Sequence, residues 1–400
     1  MRRYIPRSDY LDRIRPFIGK ELIKVFTGQR RVGKSYLIYQ LIDELKKIDP
    51  DANIIYINRE LHEFSRIDTH DELYSFVKAG AEKKVINYLF IDEIQTISSF
   101  EHAIKSLLAE GNFDIYVTGS NADMLSGELA TQLGGRYIEI NIHPLTYKEF
   151  ILFHNQKPGT TSLNNYLRYG GLPYLKNLPM DDDIIFEYLK NIYQSILYRD
   201  VLSRYEIRNV TFLNKLISYI AANTGTLVSA RNISNYLKSQ KIAISTQAVI
   251  SYLDFLNKAF FTIKVSRSDI QGKKIFEIGE KHYFNDLGIR NAIVGFNPAD
   301  LGLIIENSVF NHLNSKGYTV FTGRSGEREI DFVAEKKGER KYIQVCLSLS
   351  DQKTIKREFG NLMAIKDQYP KYVISMEKSP ASNSYMGIRH LSLLEYLMED

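Results

Sequence analysis

Gly28-Gln29-Arg30-Arg31-Val32-Gly33-Lys34-Ser35 decides how this 400-residue chain is read. The stretch has the spacing G-x-x-x-x-G-K-S, and its surroundings are those the spacing requires. Before it runs Leu22-Ile23-Lys24-Val25-Phe26-Thr27, short and bulky as a buried parallel strand should be. After it, Ser35 to Lys47 carries Leu37, Leu41, Ile42 and Leu45 at helical spacing. Strand, glycine loop and helix in that order aim backbone amides into an anion nest at a helix N-terminus. Gly28 and Gly33 permit the backbone geometry, Lys34 reaches toward β- and γ-phosphates, and Ser35 offers a hydroxyl to Mg²⁺. ATP is the expected ligand, held by Gly28, Gln29, Arg30, Arg31, Val32, Gly33, Lys34, Ser35 and Tyr36.

Further strands follow at Ile54-Ile55-Tyr56-Ile57, Tyr88-Leu89-Phe90-Ile91 and Phe113-Asp114-Ile115-Tyr116-Val117, separated by helical stretches. Alternation of this kind implies a parallel sheet with helices on both faces. The third strand runs into Asp92-Glu93, a carboxylate pair at a strand's carboxyl end, where ligands bind in open α/β sheets. Asp92 is read with Ser35 as a partner of Mg²⁺, direct or one ligand removed. Glu93 is read as the base that orients the attacking water. The fourth strand ends in Thr118-Gly119-Ser120-Asn121, small polar groups that suit either a γ-phosphate contact or a helix cap; Ser120 is the first choice for a catalytic contact.

Composition excludes several classes. The chain is 44% hydrophobic and 25% charged, enough apolar content for sizeable cores, and its length predicts two or three domains. A lone cysteine, Cys346, excludes a disulfide framework and a cysteine-based zinc cluster. No 18-residue apolar run is present, and the charged N-terminal stretch does not read as a secretory signal; a cytoplasmic protein without membrane contact is expected. A net charge of +5 permits a nucleic-acid partner without demanding one.

Past residue 145 the pattern changes. Tyr147 to Ile220 is mostly helical, broken at Tyr169-Gly170-Gly171-Leu172-Pro173. Ser229 to Ser239 and Ser245 to Asn257 read as helices, Phe260 to Val265 and Lys274 to Ile278 as strands joined by a polar hairpin. Near 300 an amphipathic helix, Leu303 to Lys316, leads into short strands at Thr319 to Thr322, Ile330 to Glu335, Tyr342 to Leu347 and Tyr372 to Met376.

Taken in order, the three segments above resemble the AAA-like prokaryotic ATPases of the AAA_14 type. So do Leu133-Gly134-Gly135-Arg136, Pro144-Leu145-Thr146-Tyr147-Lys148-Glu149-Phe150, the Tyr169 turn, Tyr198-Arg199-Asp200-Val201 and Tyr283-Phe284-Asn285-Asp286-Leu287-Gly288. Glu329-Ile330-Asp331-Phe332-Val333 looks like the C-terminal DUF4143 region that such ATPases carry. The resemblance implies an α/β chain in four parts: a parallel-sheet P-loop NTPase domain (1–145), a helical lid (146–225), a winged-helix-like element (226–290) and an α/β PD-(D/E)XK nuclease-like domain (291–400). It makes Arg136 either the charge-stabilising arginine, acting in its own chain or across an interface, or a structural bridge between sheet and lid.

Two sequence details bear on the output. The candidate recognition helix, Ser245 to Asn257, offers Ser245, Thr246, Gln247 and Ser251 but little positive charge, so Arg267, Lys273 and Lys274 would have to supply phosphate contacts. Glu306, Asp331 and Gln344-Val345-Cys346 stand where a nuclease of that fold has two acids and E-x-K. An amide replaces a metal carboxylate there and a thiol replaces the lysine, so nuclease chemistry is expected to be lost. The expectation is an Mg-ATP-hydrolysing switch coupled to a module that binds nucleic acid or protein. An ATP-regulated DNA nuclease and a purely protein-binding signalling switch are the alternatives, and oligomeric state is open.

Overall fold

The computed structural model describes residues 4–122, 133–207, 209–239, 244–270, 279–326, 328–377 and 384–399. The chain divides into two compact units, 1–143 with 258–260, and 144–257 with 261–400.

The first unit opens with helix α1 (Ser8–Ile14), then β1 (Ile23–Thr27), α2 (Lys34–Ile48), β2 (Asn53–Asn58), α3 (His70–Gly80), β3 (Asn87–Asp92), α4 (Phe100–Ala109), β4 (Phe113–Gly119) and β5 (Tyr137–Asn141). All five strands are parallel, in the order β2-β3-β4-β1-β5. One face of the sheet is aliphatic: Val25, Ile57, Leu89, Ile91, Ile115 and Val117 pack with Leu73 and Val77 of α3 and Ile104 and Leu107 of α4. The other face is aromatic, with Tyr116 stacked on Phe90 at 4.6 Å and Phe26 and Tyr56 extending the row. Lys24 interrupts β1 without breaking it. Its ammonium is fully buried, paired with Asp114 on β4 and lying over the Tyr116 ring at 5.0 Å.

The second unit begins with helices α5 (Tyr147–Phe153), α6 (Thr160–Tyr169), α7 (Asp182–Ser195) and α8 (Val210–Ala222), the last two separated by a π-helical stretch at Ile196–Leu202. It continues through β6 (Leu227–Val228), α9 (Ala230–Ser239), α10 (Thr246–Lys258), β7 (Thr262–Asp269), β8 (Glu280–Phe284), α11 (Leu287–Val294) and α12 (Leu301–Ser315). It closes with β9 (Thr319–Ser325), β10 (Arg328–Lys336), β11 (Glu339–Val345), α13 (Gln352–Met363), β12 (Lys371–Ser375), β13 (Ser384–Tyr385), β14 (Ile388–Ser392) and α14 (Leu393–Met398). Among the described residues nine strands form one mixed sheet, ordered β13-β14-β12-β11-β10-β9-β7-β8-β6.

That sheet departs from the sequence reading. β7 pairs in parallel with β9 through Arg267↔Thr322, so the stretch 226–290 and the C-terminal stretch share one sheet. They also share one core, in which Leu145, Tyr166, Val265, Tyr283, Ile304, Phe332, Ile374 and Leu397 are all buried. Segments that read as lid, winged helix and nuclease-like domain fall in one compact unit here, and that core draws buried residues from all three. The expected strand Lys274 to Ile278 lies outside the described residues, as do Lys273 and Lys274; the described strand here is β8.

The Tyr169 turn and the Tyr283 motif meet inside this unit. Asp286 accepts hydrogen bonds from Gly171 N (2.7 Å) and Ile289 N (3.0 Å). A Cβ on Gly170 would lie 2.4 Å from the Asp286 carboxylate, and one on Gly288 only 1.9 Å from the Tyr169 carbonyl. Glycines are needed at both places for the two chain segments to approach.

Candidate active site

The phosphate loop is built from left-handed turns. Gly28 has φ +143°, Arg31 +71° and Gly33 +99°. Gly28 also needs the absence of a side chain, since a Cβ there would lie 2.2 Å from Ile142 O. Val32 is fully buried and its carbonyl accepts from Arg7 Nη1 at 3.1 Å; the same nitrogen reaches His143 O at 2.9 Å. The loop is thereby clamped from behind. Helix α2 starts at Lys34 with Gly33 as its N-cap and no side-chain cap, so its first-turn amides are left facing the loop. Lys34 is buried, and its ammonium donates to Gly28 O (2.9 Å) and Gln29 O (3.2 Å). Uncapped amides, a buried cation and a loop with no Cβ at its neck fit a polyphosphate.

The strand order explains what stands beside this loop. β4 lies between β1 and β3, so the residues ending β4 bridge the phosphate loop and the Asp92-Glu93 pair. Thr118 does so directly: its hydroxyl donates to Asp92 Oδ1 and accepts from Glu93 N at 3.0 Å. Asp92 also bonds Ser35, which joins the two residues expected at Mg²⁺. Burial pushes the Asp92 carboxyl above the usual carboxylate range, against the pull of the Ser35 and Thr118 hydroxyls.

Glu93 sits in left-handed backbone, φ +58°, which turns the chain sharply out of β3. Its carboxylate lies 3.8 Å from the Lys34 ammonium. Its Oε2 accepts from Gln95 Nε2 at 2.6 Å and from Ser120 Oγ at 3.3 Å. Burial would raise its pKa, but the Lys34 and Arg30 charges outweigh that, and with the Gln95 and Ser120 bonds they hold it below the ordinary value. Glu93 is therefore a carboxylate at neutral pH, the form a base requires.

The structure thus brings together Lys34, Ser35, Asp92, Glu93 and Ser120. Tyr36 is on the exposed side of the first turn of α2, 55% accessible, against Tyr39. Arg136 is not in the group. It precedes β5, its carbonyl accepting from Ile23 N at the start of β1, and β1 runs on to Thr27 before the loop begins. Four strand residues put about 13 Å between that edge and the loop. Arg136 stands at the amino edge of the sheet, opposite its own chain's phosphate site. Two residues escaped the sequence reading. Arg7 carries no motif of its own, and Gln95 follows Asp92-Glu93 so closely that it reads as loop.

In the second unit Glu306 and Asp331 do converge, and the ammonium absent at position 346 arrives from elsewhere. Lys281 on β8 lies 2.9 Å from Glu306, 3.0 Å from Glu329 and 3.9 Å from Asp331. Tyr283, two residues on and so on the same strand face, donates to Glu306 at 2.7 Å. Gln344 is occupied otherwise: its Oε1 accepts from Asp331 N (2.7 Å) and its Nε2 donates to Glu358 (2.7 Å). Burial disfavours the Lys281 charge, but the three carboxylates together raise its pKa above an ordinary lysine's. Burial pushes the Cys346 thiol up to about 12, which leaves it inert. Among the described residues no three acidic, histidine or cysteine side chains are arranged to hold a metal ion.

The face of α10 expected to read DNA exposes Ser245, Thr246, Gln247, Ile250 and Asp254, with Ser245 spent as a cap on Ala248 N. Arg267 lies within β7, paired with Thr322. No helix among the described residues is long and apolar enough to cross a membrane.

Comparison with known proteins agrees with the first unit and corrects one reading of the second. Residues 20–151 match the AAA_14 family model, described as an AAA domain. Residues 160–300 match DUF8612, a domain of unknown function, which replaces the DUF4143 region expected on Glu329 to Val333. The Tyr169 turn and Tyr283 to Gly288 are two halves of one glycine-aspartate contact inside that span. An uncharacterized protein of Haemophilus influenzae is 34% identical over 404 residues, covering 99% of both chains. One from Methanocaldococcus jannaschii is 33% identical over 361 residues, covering 86% of this chain and 79% of its own. Among solved structures, the Aeropyrum pernix Orc1 protein in complex with DNA aligns at 11% identity and a TM-score of 0.33, covering 72% of this chain and 92% of its own.

Proposed function

The chain belongs to the family of the Haemophilus influenzae protein and carries an AAA domain, and from that premise we propose that it binds Mg-ATP and hydrolyses it as a conformational switch. The observation that carries this reading is the meeting of Lys34 and Glu93, 3.8 Å apart, at the carboxyl ends of β1 and β3. In the proposed reaction Gly28 to Tyr36 hold the nucleotide and the Lys34 ammonium leaves its carbonyl partners for the β- and γ-phosphates. Ser35 and Asp92 would hold Mg²⁺, which draws charge from the phosphate oxygens. Glu93 takes the proton of the attacking water, and Ser120 contacts the γ-phosphate or that water. We assign Arg136 no role at its own chain's nucleotide; an arginine contribution from it would reach a site on another copy.

The test is phosphate release by the full chain in saturating Mg-ATP, with ATP affinity measured by calorimetry. Lys34→Ala is expected to lose binding and turnover together. Glu93→Gln is expected to bind ATP and fail to hydrolyse it. Wild-type turnover in Lys34→Ala removes the assignment.

The second unit is proposed as the output, a lid, winged-helix-like and nuclease-like assembly without nuclease chemistry. Lys281 neutralises the carboxylates that a metal would need, and Gln344 is spent on Asp331 N and Glu358. The exposed face of α10, which offers an aspartate and no lysine or arginine, favours a protein over DNA as the partner. DNA binding that weakens steeply with salt would reverse that preference. DNA cleavage lost in Asp331→Ala would make the chain an ATP-regulated nuclease instead.

A further inference from the structure

Gln95 stands in a short segment that the site depends on and no motif explains. It lies in the single turn Ile94–Thr96, pinned on either side by the buried Ile94 and Ile97. Thr96 closes the turn through Oγ1 to Glu93 O at 2.9 Å, and Arg59 Nε donates to that hydroxyl at 3.2 Å. A side chain on so constrained a turn has a defined direction. That of Gln95 points at the catalytic candidates: its Nε2 donates to Glu93 Oε2 at 2.6 Å and to Ser120 Oγ at 3.3 Å.

The other end of the amide is the informative one. Gln95 Oε1 is buried and has no hydrogen-bond partner among the described residues. A buried acceptor without a donor costs free energy and asks for a ligand. A phosphate oxygen carries no proton to give it, and Lys34 is directed to Gly28 O and Gln29 O. A water molecule has two protons. If one goes to Glu93 and the other to the Gln95 carbonyl, its lone pair is fixed in a single direction.

We propose that Gln95 is the second acceptor for the attacking water, fixing Glu93 through its amide nitrogen and the water through its amide oxygen. The proposal rests on Glu93 being the base. Hydrolysis then balances simply: the water oxygen bonds the γ-phosphorus, the bond to the bridging oxygen breaks, and the proton passes to Glu93 while Gln95 only orients. The charged groups facing Glu93 are Lys34 from α2, Arg30 from the loop and Asp92 from β3, with Glu60 paired to Arg30 at 3.5 Å. Gln95 itself contributes dipole and direction, not charge.

The experiment uses the full chain, measuring ATP affinity, kcat and the pH dependence of kcat for wild type, Glu93→Gln, Gln95→Ala and Gln95→Glu. Gln95→Ala is expected to lower kcat about 10- to 100-fold with ATP affinity unchanged within about twofold, the size of a lost orienting group. Gln95→Glu keeps the shape but sets a second carboxylate against Glu93, so the acid limb of its pH profile moves up by about one unit. Wild-type kcat in Gln95→Ala, or an unmoved limb in Gln95→Glu, overturns the proposal. Turnover that stops in Glu93→Gln but survives in Gln95→Ala overturns this proposal alone; a wild-type chain that releases no phosphate overturns the base assignment as well.

Discussion

Lys24 and Asp114 form an enclosed ion pair in the first unit's sheet, the lysine fully buried and the aspartate 2% exposed. Asp114 is held further by Gly19 N (2.7 Å) and the Tyr116 hydroxyl (2.9 Å), so its lone pairs are satisfied. Burial lowers the Lys24 pKa, and the attraction of Asp114 opposes that. Breaking such a pair leaves an uncompensated charge in the interior, whereas replacing both partners with apolar groups can be neutral. Asp114→Ala is expected to lose about 3–5 kcal/mol in urea unfolding, and Lys24→Met with Asp114→Leu to recover most of it. A single variant as stable as wild type would mean that water reaches the lysine. The reading of Leu22 to Thr27 as a strand survived this residue because the pairing partner sits on the neighbouring strand, where a one-dimensional pattern does not look.

At the scale of elements, the turn Tyr169 to Pro173 and the start of α11 act as one joint. Gly288→Ala forces a Cβ to within 1.9 Å of Tyr169 O, so a backbone must move. The expected loss is about 1–3 kcal/mol, seen as a lower urea midpoint. Gly302→Ala is the control: it lies in α12 with nothing within 4 Å of its Cβ, and should gain about 0.4–1 kcal/mol from the reduced freedom of the unfolded chain. Equal effects at both sites would refute the joint. Read along the chain, those glycines looked like turn residues or family markers. Only the fold shows that each makes room for the other's segment.

Taken whole, the second unit buries neutral histidines. Burial lowers His312 to about 3, and His154 and His282 to about 4. A folded pKa below the unfolded value of 6.5 means that the unfolded chain binds more protons in acid. Stability from these groups is complete above about pH 6.5 and falls as pH drops toward the folded values. Asp286, raised by burial to about 6, works the opposite way, so the contribution is best isolated by variant. His312→Leu should flatten the loss of stability between pH 6 and 4 by about 1.4 kcal/mol per pH unit relative to wild type. Parallel curves for the two proteins would show that His312 titrates normally when folded. For the first unit, Mg-ATP at a hundredfold excess over Kd should add about 2.7 kcal/mol, visible as a higher melting temperature; no shift with any nucleotide would contradict the phosphate loop.

What the residues alone determined was the local chemistry: a glycine loop between strand and helix, acids ending a third strand, small polar groups ending a fourth. Each is set by neighbours a few positions apart, through backbone sterics and helix ends, so the parallel sheet and Lys34, Ser35, Asp92 and Glu93 were legible. Strand order was not. Only the placing of β4 between β1 and β3 brings Thr118 and Ser120 to Asp92 and Glu93, and only the start of β5 beside Ile23 puts Arg136 at the far edge. In the second unit the order β9-β7-β8 merges stretches that composition separates, and carries Lys281 to acids that lie 25 and 50 positions away. Contacts of that range depend on which apolar faces bury one another, a property of the folded whole that periodicity along the chain does not encode.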